Sequence, residues 1–281
     1  MPKKTIHEFY AMKKRGDRIT FLTAYDYPTA QFAEAAGLDM LLVGDSLGMC
    51  VYGYPGTIPV VMDQMIYHAE AVRRGAPNTF VIGDMPFMSY QSSIEKAVEN
   101  AGRFLKEAGC DAIKLEGGVR ITRQIRAIVE AGIVVMGHVG LTPQSSGQLG
   151  GHKAQGRTAD SAKMVVEDAR AVQEAGAQMI LLEAVPPEVA RFITQKLTIP
   201  VLSIGAGPYC DGQLLIVSDL IGQFQAFTPK FVKKYANVAE VITQAMRTYC
   251  DEVHAGAFPQ PEHCYTMLEG EEAKFLELMR S

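Results

Sequence analysis

Asp45 and Asp84 each follow a glycine at the end of an apolar run, in VGDS and IGDM, and Glu116 closes a third run, AIKLE. If these runs lie side by side, three carboxylates meet as hard oxygen donors. With no cysteine or paired histidine near them they suit Mg²⁺, which keeps positions open for water and substrate oxygens. The glycine before each Asp leaves room for a ligand or metal to approach the backbone. Taken singly, each Asp also reads as a helix N-cap.

Lys114 stands two residues before Glu116, so strand geometry turns both side chains to one face. The pair has two readings: mutual neutralisation, or a cation that receives an anionic substrate beside the acids. His138, in GHVG, is either a satisfied core histidine or a donor to a substrate carboxylate. Glu183 ends MILLE, where apolar neighbours strip water from a carboxylate and make it a candidate general base. An ion pair with a basic neighbour is its alternative. Gly205 and Gly207, in SIGAG, suggest a phosphate loop, but Cys210 stands where a GxGxxG fingerprint needs its third glycine, which favours tight packing.

These residues need a frame that brings them together. Eight Val/Ile/Leu-rich runs recur, at 19–26, 40–46, 79–85, 112–117, 133–140, 179–185, 201–207 and 214–221. Their near-continuous apolarity predicts strands buried on both faces, as in a parallel sheet. Amphipathic stretches such as Met62 to Arg74, Ser92 to Ala108, Ala159 to Ala175 and Glu188 to Lys196 alternate with them, and Gly109 and Gly176 stand at C-cap positions. The polar residues fall at the C-terminal ends of successive strands. A closed barrel gathers such ends round one opening, whereas an open sheet divides them between two flanks. The expected fold is therefore a (β/α)8 TIM barrel, with 1–281 as a single domain. Residues 141–157, rich in Gly, Ser and Gln, break the rhythm and read as an active-site loop. The pattern turns helical after 222, and 258–281 reads as a C-terminal extension.

The 281 residues are 48% hydrophobic and 21% charged, which excludes a disordered or fibrous chain. A net charge of -4 without long basic runs gives no attraction to nucleic acid or to an anionic membrane. Apolar runs are too short to span a bilayer, and the basic N-terminus lacks the apolar region of a secretory signal, so a cytoplasmic protein is expected. Five scattered cysteines without CxxC spacing argue against both a disulfide framework and a zinc site.

The blocks GDSLGM (44–49), GDMPF (83–87), AIKLEGG (112–118), GHVGLTPQ (137–144), LEAVP (182–186), IGAG (204–207) and CDGQ (210–213) resemble the ketopantoate hydroxymethyltransferase family, in order and through most of the chain. One departure is Ser203, where the resemblance leads one to expect another glycine. The resemblance implies a Mg²⁺-dependent barrel that transfers a hydroxymethyl group from 5,10-methylenetetrahydrofolate to 3-methyl-2-oxobutanoate, giving 2-dehydropantoate in the first step of pantothenate biosynthesis. It implies Asp45 and Asp84 as metal ligands that also meet the substrate, with Glu116 a third acid, direct or through water. Ser46 and Lys114 then hold the oxoacid, His138 adds a contact, and Glu183 accepts the proton. It further implies a large homo-oligomer, a decamer. No pterin-specific motif is readable. Two other readings share the acid cluster: a Mg²⁺-dependent lyase or mutase of 2-oxoacids, for which the KKCGH-like loop of isocitrate lyase is absent, and a non-catalytic 2-oxoacid sensor, which would not require Glu183.

Overall fold

The computed structural model describes residues 3–280. The chain divides into two compact units, Met1–Tyr235 and Ala236–Ser281. In the first unit eight parallel strands close into a barrel: β1 Ile19–Thr23, β2 Met40–Val43, β3 Phe80–Asp84, β4 Ala112–Glu116, β5 Val135–Gly140, β6 Met179–Glu183, β7 Val201–Ile204 and β8 Gly212–Leu215. Each strand pairs with the next in sequence, and β8 pairs back to β1 with Ile19 opposite Gly212. The expected fold is the observed one.

Strand periodicity then sorts the side chains. Phe80 and Ile82 of β3, Ala112 of β4, Met136 of β5 and Met179 and Leu181 of β6 form one apolar cluster inside the barrel. Their alternates Val81, Ile113, Leu115, Val135 and Ile180 pack outward in a second cluster, shared with the surrounding helices. Continuing the inward series by twos reaches Asp84, Lys114, Glu116, His138 and Glu183. The barrel interior is thus apolar at its N-terminal end and ionisable at the other. The N-terminal helix Ile6–Arg15, which the sequence pattern did not reveal, adds Phe9 and Met12 to the inner cluster. Phe9 meets Phe80 edge-on at 5.2 Å, so apolar side chains plug the end opposite the charges.

Three details differ from expectation. The last strand runs over Gly212–Leu215 rather than 214–221, and Val217–Leu220 is a helical turn. Register decides this: Gly212 lies opposite both Ile19 and Leu202, where a Cβ would come within 2.5 Å of the Ile19 carbonyl, and the Val217 N–H leaves the ladder to donate to Thr23 Oγ1 at 3.0 Å. The seventh strand stops at Ile204 because Gly205 turns into the left-handed region at φ 70°.

Gly83, the third detail, opens nothing to a ligand. Its bare face looks outward at Phe104 of helix Ile94–Lys106, whose ring a Cβ would meet at 2.2 Å. Phe104 is fully buried and has no space to retreat. Gly83→Ala should therefore destabilise the barrel by about 1–3 kcal/mol through overpacking, and Phe104→Leu in the same chain should recover part of the loss in a denaturant titration. No recovery would place the strain elsewhere.

The second unit contains helix Val238–His254 and the short helix Glu271–Leu278. It starts ahead of the expected 258–281 extension because the long helix is tied to the segment at its C-terminal end: Ala257 N–H donates to Glu252 O at 2.8 Å, and Tyr249 packs on Phe258 with ring centres 5.8 Å apart. Among the described residues, no helix is long and apolar enough to cross a membrane.

Candidate active site

A cavity of about 1180 Å³ opens at the C-terminal ends of the strands. Asp45, Ser46, Asp84, Lys114, Glu116, His138 and Glu183 all line it. Asp84, Glu116 and Glu183 are the last residues of their strands, Lys114 and His138 lie inside theirs, and Asp45 follows β2 on a turn. Leu141, Pro143, His152, Ala154 and Arg157 bring the 141–157 loop to the same cavity, and that loop includes a 3-10 turn at Pro143–Ser145 and a short helix at Ser146–Leu149.

Lys114 sits at the centre of the charges. Its Nζ lies 2.8 Å from Asp84 Oδ1, 3.5 Å from Glu116 Oε1 and 3.3 Å from His138 Nδ1. His138 stands between two carboxylates, with Nδ1 3.3 Å from Glu116 Oε1 and Nε2 3.2 Å from Glu183 Oε2. The Asp45 N–H donates to Asp84 Oδ2 at 3.0 Å, which ties the two aspartates together. Ser46 Oγ lies 2.8 Å from the Tyr25 hydroxyl.

Burial pushes Asp45, Asp84 and Glu116 upward, and the neighbours then separate them. Asp45 is pushed well above the carboxylate range by burial and by repulsion from Asp84 and Glu116, against the pull of Lys114. Burial also raises Asp84, more than Lys114 lowers it. Glu116 goes the other way: burial opposes ionisation, but Lys114 and His138 override it and hold the carboxyl at about 2. Burial and then Lys114 disfavour His138 as a cation, yet Glu116 and Glu183 outweigh both and push it up to about 9. At neutral pH the cavity therefore presents two cations, Lys114 and His138.

The His138 shift has a sign that can be checked. Its folded pKa lies above the usual 6.5, so its contribution to stability is fully present below that pH and is lost as pH rises through about 9. The imidazole NMR resonances should titrate near the upper value, and His138→Gln should flatten the stability profile across that window. Titration near 6.5 would show that the ion pairs with Glu116 and Glu183 do not form.

The residues fit a hard divalent cation through Asp45 and Asp84. Burial and neighbouring acids disfavour the charge on both, which a bound cation would restore, and Asp84 Oδ1 is buried without a well-angled hydrogen bond. Glu116 is engaged at both oxygens, Oε1 by Lys114 and His138 and Oε2 by the Gln144 N–H at 3.0 Å. Among the described residues no group of three or more His, Cys, Asp or Glu is arranged to hold a metal. Two aspartates, completed by substrate oxygens and water, match the habit of Mg²⁺ of keeping exchangeable positions.

Other motifs resolve as packing. A Cβ on Gly205 would meet the Phe231 ring at 2.5 Å, and one on Gly207 would meet Pro187 at 2.8 Å, so the IGAG turn is filled by side chains. Ser203 caps this turn by accepting from the Ala206 N–H at 3.0 Å, which accommodates the departure from the family pattern. After Glu183, Ala184 adopts φ 48°, a left-handed backbone that a residue with a Cβ rarely takes. Its carbonyl accepts from the Gln155 N–H at 3.0 Å, so the strained turn anchors the 141–157 loop beside Glu183. Gln144 and Tyr90 were not singled out from the sequence, although Gln144 closes the GHVGLTPQ block. Both are buried against the acids.

The profile of the ketopantoate hydroxymethyltransferase family matches residues 3–261. The chain belongs to the ketopantoate hydroxymethyltransferase family. It is 64% identical over 270 residues to the 3-methyl-2-oxobutanoate hydroxymethyltransferase of Alkaliphilus metalliredigens, covering 96% of this chain and 95% of that one. It is 52% identical over 269 residues to the enzyme of that name from Syntrophomonas wolfei, covering 96% and 98%. This ketopantoate hydroxymethyltransferase family member is therefore an enzyme of the transferase class. Among solved structures it resembles a phosphonopyruvate hydrolase complexed with oxalate and Mg²⁺, with a TM-score of 0.61, 16% identity and coverage of 99% of this chain and 97% of the other. It also resembles 2,3-dimethylmalate lyase, of the PEP mutase/isocitrate lyase superfamily, with a TM-score of 0.60, 19% identity and full coverage of both, 100% each. At that identity the likeness concerns the barrel fold alone.

Proposed function

We propose that the enzyme transfers a hydroxymethyl group from 5,10-methylenetetrahydrofolate to 3-methyl-2-oxobutanoate, giving 2-dehydropantoate, with Mg²⁺ as cofactor, as the first step of pantothenate biosynthesis in the cytoplasm. The observation that carries this reading is the division of groups in one cavity: two cations, Lys114 and His138, two buried aspartates whose charge a further cation would stabilise, and Glu183 at the open edge. The family name and the names of the relatives support the same acceptor.

In this reading the oxoacid carboxylate is received by Lys114 and His138, with Ser46 as a further donor. Mg²⁺ held by Asp45 and Asp84 would act as a Lewis acid toward the substrate ketone and make the proton at C3 easier to remove. Glu116, with both oxygens engaged, keeps Lys114 and His138 charged and aligned. Glu183 is the lumen carboxylate left for proton transfer. Its side chain is 16% exposed, against 2% for Asp84 and Glu116, and among the described residues its one close ionic contact is His138 Nε2. It takes the C3 proton, and the methylene carbon gives up both of its bonds to folate nitrogens, one in exchange for a bond to the enolate carbon and one for a bond to the oxygen of water. Water supplies the new hydroxyl, and the C3 proton with one proton of water ends on the folate nitrogens.

The cavity is much larger than a five-carbon oxoacid requires. Its outer wall, with Arg157, Lys230, Phe231 and Lys233, offers apolar and cationic surface for a second, larger, anionic substrate. A homo-oligomer, a decamer, belongs to the same proposal and is checked by light scattering of the purified chain. The deciding assay supplies 3-methyl-2-oxobutanoate with and without methylenetetrahydrofolate, and with and without Mg²⁺, and follows 2-dehydropantoate by mass spectrometry. Product should form only when all three are present. Cleavage or rearrangement of an oxoacid without folate would replace this reading with the lyase or mutase one.

A further inference from the structure

Gln144 comes from the loop after β5, outside the barrel ladder, yet it is only 4% exposed. Its side-chain nitrogen donates both hydrogens, to Asp45 Oδ2 at 2.9 Å and to the Met85 carbonyl at 2.9 Å. Its side-chain oxygen accepts from the Tyr90 hydroxyl at 2.8 Å and from Gln91 Nε2 at 3.3 Å. Its backbone N–H donates to Glu116 Oε2 at 3.0 Å. Chemistry leaves one orientation for the amide, because the reverse would set its oxygen against the Met85 carbonyl, which carries no hydrogen. Tyr90 is itself fixed, since its oxygen accepts from the Glu116 N–H at 3.0 Å, and its ring is fully buried. One residue thus ties the segments that come after β2 and β3 and the end of β4 to the loop after β5.

We propose that Gln144, held by Tyr90, is a positioning residue that aims the Asp45 carboxylate for the divalent cation and couples the 141–157 loop to that site. The inference rests on the proposed Asp45 and Asp84 ligand pair. Its physical basis is that a buried ligand carboxylate binds well only if its outer hydrogen bonds fix its direction, and loss of such a partner characteristically weakens metal affinity about 10- to 100-fold. Gln144 uses all its hydrogen-bonding capacity to do this, and its neutral amide adds no charge beside the acids.

The test measures Mn²⁺ affinity by electron paramagnetic resonance and Mg²⁺ affinity by calorimetry in the full-length chain, together with kcat, KM for 3-methyl-2-oxobutanoate and the melting temperature. Gln144→Leu should weaken cation binding about 10- to 100-fold, raise the Mg²⁺ concentration needed for half-maximal activity in parallel, and allow kcat to recover substantially at saturating Mg²⁺. Tyr90→Phe removes the hydroxyl that donates to the amide oxygen and accepts from the Glu116 N–H, while Gln91 Nε2 still reaches the amide oxygen, so it should act in the same direction by several-fold. It serves in place of Gln144→Leu if that variant fails to fold. Asp45→Asn is the reference. If Asp45→Asn loses cation affinity while the Gln144 and Tyr90 variants keep it and lose only thermal stability, the network is structural and the proposal is overturned. If Asp45→Asn also keeps full affinity, the ligand pair is wrong, and the positioning role falls with it.

Discussion

Glu183→Gln should abolish enolisation while leaving oxoacid binding intact. With Mg²⁺ present and folate omitted, the parent enzyme should exchange the C3 hydrogen of 3-methyl-2-oxobutanoate with solvent deuterium, and the variant should exchange about 10² to 10⁴ times more slowly, the usual size of general-base assistance. The other lumen groups are poorly placed to substitute. His138 is held as a cation to about pH 9 and has no lone pair to accept a proton at neutrality. Glu116 shares its oxygens among Lys114, His138 and the Gln144 N–H, and Asp84 faces Lys114. Glutamine keeps the shape of Glu183 and leaves an amide oxygen for His138 Nε2, so the pocket should keep its form. Proton NMR of the substrate in deuterium oxide gives the rate, and calorimetry gives the affinity. Exchange at the parental rate would remove Glu183 from the chemistry and leave it as the ion-pair partner of His138.

Lys114→Met should produce two separable losses. The first is stability: the variant leaves Asp84 and Glu116, each with a side chain 2% exposed, without their shared cation, and removing one partner of a buried ion pair costs about 3–5 kcal/mol. The second is recognition. A buried charge-assisted hydrogen bond to a substrate carboxylate is worth about 1.5–3 kcal/mol, so oxoacid affinity should fall by roughly one to two orders of magnitude while the KM for folate stays within a small factor. Affinity is to be measured well below the melting temperature of the variant, so that unfolding does not imitate weak binding. A lower melting temperature with unchanged oxoacid affinity would make Lys114 a structural counter-ion only. Loss confined to folate would move its partner to the other substrate.

The positions of the acids and cations along the chain were already enough to place them round one opening. Asp84, Lys114, Glu116, His138 and Glu183 continue the period-two series of inward apolar residues, and a closed parallel barrel is the arrangement in which successive strand ends surround a single cavity. Local rules suffice here, because alternation and strand order are properties of the chain itself. They fail where the decisive partner is distant in sequence. Gly83 reads as a gap for a ligand until Phe104 is seen filling it, and β8 reads two residues late until pairing with β1 and β7 sets its register. The helix Ile6–Arg15 gives no sign that Phe9 will plug the barrel against Phe80. Gln144 lies 99 residues from Asp45, and nothing local marks it as the side chain that holds that carboxylate. The charge states were equally hidden. Asp45, Asp84 and Glu116, acids of similar intrinsic strength, diverge only because burial makes each depend on what lies within a few ångströms, and those distances exist only once the barrel has closed.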